Sequence, residues 1–121
     1  MKILITGGAG FIGGNFVYYM LQNHADYMIV CLDKLTYAGN LSTLAEAMKN
    51  ERFKFVKGDI ADKKFVEELF KHEKFDACVN FAAESHVDRS IEDPQIFLMT
   101  NIIGTQVLMD ACRLNGNIRY H

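Results

Sequence analysis

The amino-acid sequence predicts an α/β fold, a doubly wound parallel sheet of about four to five strands with helices on its faces. Three observations support this prediction. Short apolar runs alternate with patterns of helical period, a glycine-rich turn directly follows the first run, and an aspartate closes the second. Strands that alternate with helices run parallel, because each helix returns the chain to the same end of the sheet. At 121 residues, half of them hydrophobic, the chain suits one domain with a substantial core.

The predicted elements follow from apolar runs of strand length and from apolar residues at helical spacing. In chain order they are a strand over 2–6, a helix over 10–23, a strand over 27–32, a short helix over 41–48, a strand over 53–56, a helix capped by Asp62, a strand over 75–81, a helix over 93–115 and the start of a fifth strand over 117–121. The stripes expected to face the core are Ile12, Phe16, Met20 and Leu21 in the first helix, and Phe65, Leu69 and Phe70 after Asp62.

The helix over 93–115 is apolar on two sides. Asp93 and Pro94 suit its N-cap and first position, where proline has no N–H bond to lose. One stripe comprises Ile96, Thr100, Ile103, Val107, Ala111 and Leu114, and a second comprises Leu98, Ile102, Met109 and Cys112. We expect one side to lie on the sheet and the other to form a dimer interface or to lie beneath a further helix.

The glycine-rich turn is TGGAGFIG at residues 6–13. Gly7, Gly10 and Gly13 meet three needs: an unusual φ where a strand turns into a helix, bare backbone for a pyrophosphate, and close packing of the helix on the sheet. The N–H groups of the first helical turn would then attract an anion, with the helix dipole adding to the attraction. A tight packing turn is the alternative interpretation.

Asp33 closes the second strand, twenty residues after Gly13. A carboxylate at that place accepts hydrogen bonds from the adenosine ribose hydroxyls in dinucleotide-binding folds. Strand, glycines, helix, strand and acid therefore predict a Rossmann-like fold with a bound dinucleotide. Lys34 could pair with the 2′-phosphate of NADP, but Asp33 would repel that phosphate, so NAD is favoured.

Further candidate contacts follow the third and fourth strands, because ligands bind at the carboxyl ends of strands in such sheets. Asp59 and Ile60 could flank an adenine, or Asp59 could be only a turn residue. The small pair Ala82–Ala83 leaves room for a ribose and a nicotinamide. Ser85 and His86 would each alone be structural more often than functional, but together at this strand end they are candidates for substrate contact.

Two polar residues within the last helix, Thr100 and Asn101, are expected to face the end of the fourth strand. They could reach the nicotinamide region or simply tie backbone together.

The composition excludes several classes of function. The net charge of -2 gives no electrostatic basis for binding nucleic acid or an anionic membrane, and no apolar run approaches the roughly 20 residues of a membrane span. The start of the sequence does not suit a signal peptide. Cys31, Cys78 and Cys112 are odd in number and lack metal-ligand spacing, so we expect free core thiols in a reducing cytoplasm and no metal site.

Five stretches give the chain a close resemblance to the extended short-chain dehydrogenase/reductase family. They are TGGAGFIGGN at 6–15, DKLTYAGNL at 33–41, GDI at 58–60, NFAAESHVDRSI at 80–91 and TNIIGT at 100–105. The resemblance covers essentially the whole chain. YAGN and AAESHVDRS are far more specific than the glycines, because related epimerases and decarboxylases differ at both stretches. Within the family the similarity is to dehydratases of nucleotide sugars.

The resemblance implies an NAD that is used and restored while dTDP-glucose is converted to dTDP-4-keto-6-deoxyglucose. Hydride leaves sugar C4 for NAD, water is lost across C5 and C6, and hydride returns to C6. By motif, contacts to NAD are implied for Phe11, Ile12, Asp33, Lys34, Leu35, Thr36, Asp59, Ile60, Phe81, Ala82, Ala83 and Thr100. Ser85 would contact the substrate, with His86 nearby.

The sequence departs from the family pattern at the catalytic residues. None of its tyrosines has a lysine four residues later, and the Thr-Asp-Glu that supplies the dehydration acid and base is also absent. We therefore expect residues 1–121 to be the incomplete, N-terminal half of an NAD-binding Rossmann domain, with no catalytic residue and no activity alone. The alternatives are half of a nucleotide-sugar 4-epimerase and a free-standing NAD-binding module. A homodimer through the 93–115 helix is also expected.

Overall fold

The computed structural model of the protein describes residues 1–36, 40–84 and 87–121, with the backbone alone at 87–89. The strands of the described part are β1 (Lys2–Thr6), β2 (Met28–Asp33), β3 (Phe53–Lys57), β4 (Ala77–Asn80) and β5 (Arg119–Tyr120). They form a parallel sheet in the order β3-β2-β1-β4-β5. This order confirms the Rossmann-like doubly wound class, in which the strand order reverses beside β1.

The helices lie between the strands in sequence. They are α1 (Phe11–Asn23), α2 (Lys63–Glu73), α3 (Val87–Glu92), α4 (Pro94–Phe97) and α5 (Thr105–Leu114), with a π-helical segment (Leu98–Gly104) joining α4 to α5. Two short 3₁₀ turns, Leu41–Leu44 and Ala47–Lys49, stand where one short helix was predicted. The predicted helix over 93–115 is thus two α-helical segments joined by a π-helical one, and α3 was not predicted.

Both faces of the sheet are covered, and each has its own core. The core beneath α2 and α5 includes Leu4, Leu32, Val66, Phe70 and Leu108. The core beneath α1 and the 3₁₀ turns includes Ile3, Ile5, Val17, Leu21 and Leu44. Successive residues of β1 therefore point to opposite faces, which explains why its sequence is an unbroken apolar run rather than an alternating one.

The stripe predicted for α1 was partly wrong. Ile12 is 68% exposed, and the buried residues of the helix are instead Gly13, Gly14, Val17, Met20 and Leu21. The start of α1 lies so close to the strands that glycines form its packing face. The spacing of large apolar residues does not reveal such a face.

The two stripes predicted over 93–115 were also partly wrong. The buried residues of the helical run are Gly104, Val107, Leu108, Ala111 and Cys112. The exposed ones include Leu98, Ile102, Ile103, Met109 and Leu114. A π-helical segment bonds residue i to i+5 and so changes the angular phase of all residues after it. A stripe counted at 3.6 residues per turn therefore does not continue across 98–104.

Caps, thiols and helix lengths bear on further predictions. The Asp62 side chain accepts a hydrogen bond from the Phe65 N–H at 3.2 Å, as expected of an N-cap. Asp93 and Pro94 occupy the N-cap and the start of α4, but the Asp93 side chain makes no capping bond. The three cysteines are buried and free, as predicted. Among the described residues, no helix is both long and apolar enough to cross a membrane.

Candidate functional site

A cleft opens at the carboxyl ends of β1, β2, β3 and β4, where the order of the strands reverses. It holds about 570 Å³ of empty space, open solvent included. Its lining residues are Gly7, Gly10, Leu32, Asp33, Lys34, Thr36, Gly58, Asp59, Ile60, Phe81, Ala82, Ala83, Glu84 and Thr100. Doubly wound sheets bind their ligands at this place.

The glycines of the turn between β1 and α1 are required for different reasons. Gly7 has a φ of +71°, and a Cβ there would lie 2.6 Å from the Ala82 nitrogen and the Phe81 carbonyl carbon. A Cβ on Gly13 would collide with the Gly7 carbonyl. A Cβ on Gly10 would meet only the Gly7 oxygen, at 3.3 Å, and Gly10 lines the cleft. Two glycines thus let backbone segments pack together, and the third leaves backbone bare toward the cleft.

Helix α1 begins directly after this turn and directs its N-terminus toward the cleft. Its N-cap, Gly10, has no side chain to bond the N–H groups of the first turn. Phe11 and Ile12, the first two residues of the helix, are 84% and 68% exposed, and neither lines the cleft. Phe11 instead lines a separate groove with Tyr18 and Asn40. The bare first turn is the part of the site that suits an anion.

Asp33 fastens the glycine turn to the end of β2. Its Oδ2 accepts from the Ala9 N–H at 2.9 Å, and its Oδ1 accepts from the Leu35 N–H at 2.8 Å. Each carboxylate oxygen has a second acceptor site, so capacity remains for hydroxyl donors from the cleft. Leu35 adopts a positive φ of 58° and packs against the core under α1 rather than lining the cleft.

Lys34 and Asp59 form an ion pair across the ends of β2 and β3. The Lys34 Nζ lies 3.2 Å from the Asp59 Oδ2, and both residues line the cleft. The Asp59 Oδ1 also accepts from the Ala61 N–H at 2.9 Å. Asp59 is therefore a turn residue that also lines the cleft, so the two interpretations left open for it are compatible. Ile60, buried beside it, adds an apolar surface.

The segment after β4, residues 81–84, forms another wall of the cleft. The Ala82 N–H donates to the Asn80 Oδ1 at 3.1 Å and to the Thr6 Oγ1 at 3.3 Å. The Phe81 ring packs on Phe16 of α1, with ring centroids 5.2 Å apart. The wall is thus held to β1 and α1, directly beside Gly7 of the glycine turn.

The thiol nearest the glycine turn belongs to Cys31. A Cβ on Gly8 would collide with its sulfur, so the thiol lies directly beneath the turn. Burial, together with the charge of Asp33, raises the pKa of this thiol to about 12. The thiol is therefore protonated at neutral pH, and it fills space rather than acting as a nucleophile.

The structure brings most of the predicted site residues together in the cleft. Those that do not line it are Phe11, Ile12, Gly13 and Leu35. Ser85 and His86 lie outside the described residues. Leu32, Gly58 and Glu84 line the cleft without having been singled out, although each directly precedes a residue or motif position that was. Of these three, Glu84 is the residue that the sequence analysis should have noted, because it is a charged residue that is only 6% exposed, which is unusual.

A parallel sheet in this order, a glycine turn at a helix N-terminus and a carboxylate closing β2 define a Rossmann-like nucleotide-binding domain. A family model described as GDP-mannose 4,6 dehydratase matches residues 4–121, and the chain belongs to that family.

Three similar proteins illustrate the relationship. A dTDP-glucose 4,6-dehydratase of Escherichia coli is 50% identical over 113 residues, which are 93% of this chain and 31% of that protein. The crystal structure of DesIV, a dTDP-glucose 4,6-dehydratase of Streptomyces venezuelae with NAD and TYD bound, is 44% identical with a TM-score of 0.90, covering 99% of this chain and 38% of that one. A UDP-Glc/GlcNAc 4-epimerase of Campylobacter jejuni is 36% identical with a TM-score of 0.88, covering 98% and 35%. The chain thus spans about a third of the length of these relatives.

Proposed function

We propose that this chain is the NAD-binding part of an enzyme that dehydrates dTDP-glucose to dTDP-4-keto-6-deoxyglucose. The observation that carries the proposal is the cleft itself, with Gly10 bare toward it and Asp33 at its edge. The similarity to dTDP-glucose 4,6-dehydratases, at 50% and 44% identity against 36% for the 4-epimerase, supports the choice of reaction.

The residues of the cleft fit NAD in one orientation. The adenosine would lie between Asp33, which has acceptor sites free for ribose hydroxyls, and the Asp59–Ile60 pair. The pyrophosphate would lie on Gly10 and the first turn of α1, because only bare backbone allows that approach. The nicotinamide end would then reach the wall formed by Ala82–Ala83 and Thr100. Leu35 would act by holding the loop, and Phe11 and Ile12 would act through backbone N–H groups.

The electrostatics at the adenosine end favour NAD over NADP. The Lys34 ammonium, the one cation that lines the described cleft, is already paired with Asp59. A 2′-phosphate would have to approach the Asp33 carboxylate while the lysine of the described lining is engaged by Asp59. The 2′-hydroxyl of NAD would instead donate to that carboxylate.

The chain's own contribution is to bind and orient. Bound NAD would supply the hydride acceptor for sugar C4 and the hydride donor for C6. We propose that the acid and base of the dehydration lie outside these residues and that none of the cleft residues is catalytic. Ser85 and His86 remain candidates for substrate contact.

The second candidate function is 4-epimerisation of a nucleotide sugar. It is favoured by the epimerase structure, whose TM-score of 0.88 is close to the 0.90 of the dehydratase. The two reactions share removal of the C4 hydride and differ in whether water is then eliminated.

Product analysis separates these candidates. The product of the complete gene from which this sequence derives is incubated with dTDP-glucose and, separately, with UDP-glucose. We expect dTDP-4-keto-6-deoxyglucose from the first substrate. A C4 epimer of either sugar without elimination would support the epimerase instead. Formation of the 4-keto sugar by the 121-residue chain alone would contradict the assignment of catalysis to residues outside it.

We further propose a cytoplasmic homodimer that uses the helical run over 93–115. Three apolar residues of this run, Leu98, Ile102 and Met109, are 53%, 59% and 52% exposed. Exposed apolar patches are common at interfaces between subunits. The buried free thiols of Cys31, Cys78 and Cys112 suit a reducing compartment.

A further inference from the structure

Two glutamates of the described residues are buried, and they differ in how their charge is compensated. Glu73, the last residue of α2, is 8% exposed and forms ion pairs with Lys2 and Lys54. Hydrogen bonds from these two ammonium groups lower the pKa of its carboxyl. Glu84 is 6% exposed, and within the described part of the chain no lysine or arginine pairs with it. Burying a carboxylate is costly unless a cation or hydrogen-bond donors compensate it, so we expect Glu84 to have a partner.

Glu84 is held by its backbone rather than by its carboxylate. Its N–H donates to the Asn101 Oδ1 at 2.8 Å, and its carbonyl accepts from the Asn101 Nδ2 at 2.9 Å. This contact is one of the two uses that the sequence left open for Asn101, a tie between backbone segments. Among the described residues, none donates a hydrogen bond to the Glu84 carboxylate. Because Glu84 lines the cleft, its carboxylate lies within a side chain's length of a ligand bound there.

The charged residues of the described cleft lining fall into two groups. Asp33, Lys34 and Asp59 lie at the ends of β2 and β3, whereas Glu84 follows β4, on the other side of β1. Neighbouring strands lie roughly 4.8 Å apart, so β4 is about 10 Å from β2. In the proposed orientation of NAD, the first group meets the adenosine. Glu84, beside the Ala82–Ala83 pair, is then the charged residue of the described lining at the nicotinamide end.

The two redox forms of NAD differ in charge at this end of the molecule. The oxidised nicotinamide ring of NAD⁺ is a cation and the reduced ring of NADH is neutral, while the adenosine, the pyrophosphate and the riboses are the same in both. A carboxylate near the ring therefore attracts NAD⁺ and has no charge to attract in NADH. Since Glu84 is only 6% exposed, water screens this attraction less than it would at an exposed residue.

We infer that the Glu84 carboxylate makes the nicotinamide end of the cleft selective for the oxidised form of NAD. The inference rests on the proposed function and on the orientation of NAD given with it. The oxidised ring would supply the positive charge that the described residues do not bring to Glu84, so binding would compensate the buried carboxylate. The proposed reaction begins with removal of the hydride from sugar C4, which NAD⁺ can accept and NADH cannot. This selectivity would therefore favour the form of the cofactor that the first step needs.

The test measures the ratio of the dissociation constants for NADH and NAD⁺, because a general loss of structure weakens both and leaves their ratio unchanged. The product of the complete gene, freed of bound dinucleotide, is titrated with each form by calorimetry, and Tm is measured for each variant. Glu84→Gln and Glu84→Ala remove the charge, whereas Glu84→Asp keeps it. Glu46→Gln is the control for the change in net charge, because Glu46 is exposed, pairs with Lys49 and does not line the cleft.

We expect Glu84→Gln and Glu84→Ala to lower the ratio of the NADH constant to the NAD⁺ constant at least about tenfold, mainly through weaker binding of NAD⁺. The ratios for Glu84→Asp and Glu46→Gln are expected to stay within about twofold of the parent's. Equal weakening of both forms, an unchanged ratio, or failure of both charge-removing variants to fold would overturn the inference. So would a change of the ratio in Glu84→Asp as large as in Glu84→Gln. Failure of the parent protein to bind either form would instead overturn the proposed function, and this inference with it.

Discussion

At the scale of single residues, Asp33 shows how one side chain serves both the fold and the site. Its oxygens receive the Ala9 and Leu35 N–H groups and still have acceptor sites toward the cleft. The same carboxylate that would hold the ribose therefore also fixes the glycine turn that would hold the pyrophosphate. On the proposed orientation of NAD, recognition of the ribose and recognition of the pyrophosphate would be coupled through Asp33.

Replacing Asp33 with asparagine tests this coupling. An asparagine has one acceptor and one donor group, so its NH₂ must face the N–H of either Ala9 or Leu35. We expect Asp33→Asn to cost about 1–3 kcal/mol of unfolding free energy, because a buried donor loses its acceptor. NAD binding is expected to weaken at least about tenfold. Denaturant unfolding and calorimetry measure these effects, and Asp26→Asn, at an exposed position after α1, is the control. Unchanged NAD affinity would contradict the role given to Asp33.

The glycines allow a contrast between folding and binding. A Cβ at Gly10 meets little but the cleft, whereas a Cβ at Gly13 collides with the Gly7 carbonyl. We expect Gly10→Ala to keep a Tm near that of the parent while losing most NAD affinity, because the methyl group occupies the place of the pyrophosphate. Gly13→Ala is expected to lower Tm by several degrees. If Gly10→Ala bound NAD as well as the parent, the pyrophosphate would have to lie elsewhere.

At the scale of elements, the C-terminal end of helix α2 has a non-glycine residue in a left-handed backbone conformation. Helix α2 is followed by its C-cap, Lys74, which adopts the left-handed conformation with a φ of 54°. Glycine adopts that conformation at no steric cost and is the usual residue at this position of a helix end.

Lys74→Gly is therefore expected to stabilise the protein by about 0.5–1 kcal/mol. Its backbone N–H would still donate to the Phe70 carbonyl, as it does now at 3.2 Å. Lys71→Gly, in the last turn of the same helix, is the control and should destabilise by about 1 kcal/mol. Urea unfolding of both variants measures the difference. A destabilising effect of Lys74→Gly would show that the lysine side chain contributes more than its backbone costs.

Elements also show how far the sequence could be interpreted. The strands, α1, α2 and the glycine turn were predictable because each has a local cause: an apolar run, a cap or a φ that requires glycine. The π-helical segment at 98–104 was not predictable, since nothing in the spacing of apolar residues distinguishes it from an α-helix. Most of the residues that line the cleft were predicted from motifs at the carboxyl ends of the strands. Glu84 was not predicted, because its burial and its backbone hydrogen bonds to Asn101, seventeen residues away, arise only in the folded chain.

At the scale of the whole molecule, the two faces of the sheet are covered, yet the helical run over 93–115 keeps apolar side chains in solvent. Leu98, Ile102 and Met109 are among them. The same run carries Thr100 and Asn101 toward the cleft, so one helix would face both the cofactor and the partner subunit. We expect the protein to associate through this surface.

A charge placed on that surface should prevent association. Ile102→Glu is expected to convert a dimer into a monomer, because burying the carboxylate against apolar side chains is costly. Met48→Glu is the control. Met48 is 50% exposed and lies in the 3₁₀ turn Ala47–Lys49, outside the helical run over 93–115. Sedimentation velocity distinguishes the two states. A monomeric parent, or a dimer that persists in Ile102→Glu, would contradict the interface.

The most direct test of the central claim is a calorimetric titration of the purified protein with NAD and, in parallel, with NADP. The claim is that the cleft at the ends of β1 to β4 binds NAD through Asp33 and the bare turn at Gly10. We predict one NAD site per chain and a dissociation constant for NADP at least about tenfold higher, because the 2′-phosphate meets the Asp33 carboxylate while Lys34 is engaged by Asp59. Absence of NAD binding, or equal or tighter binding of NADP, would contradict the account.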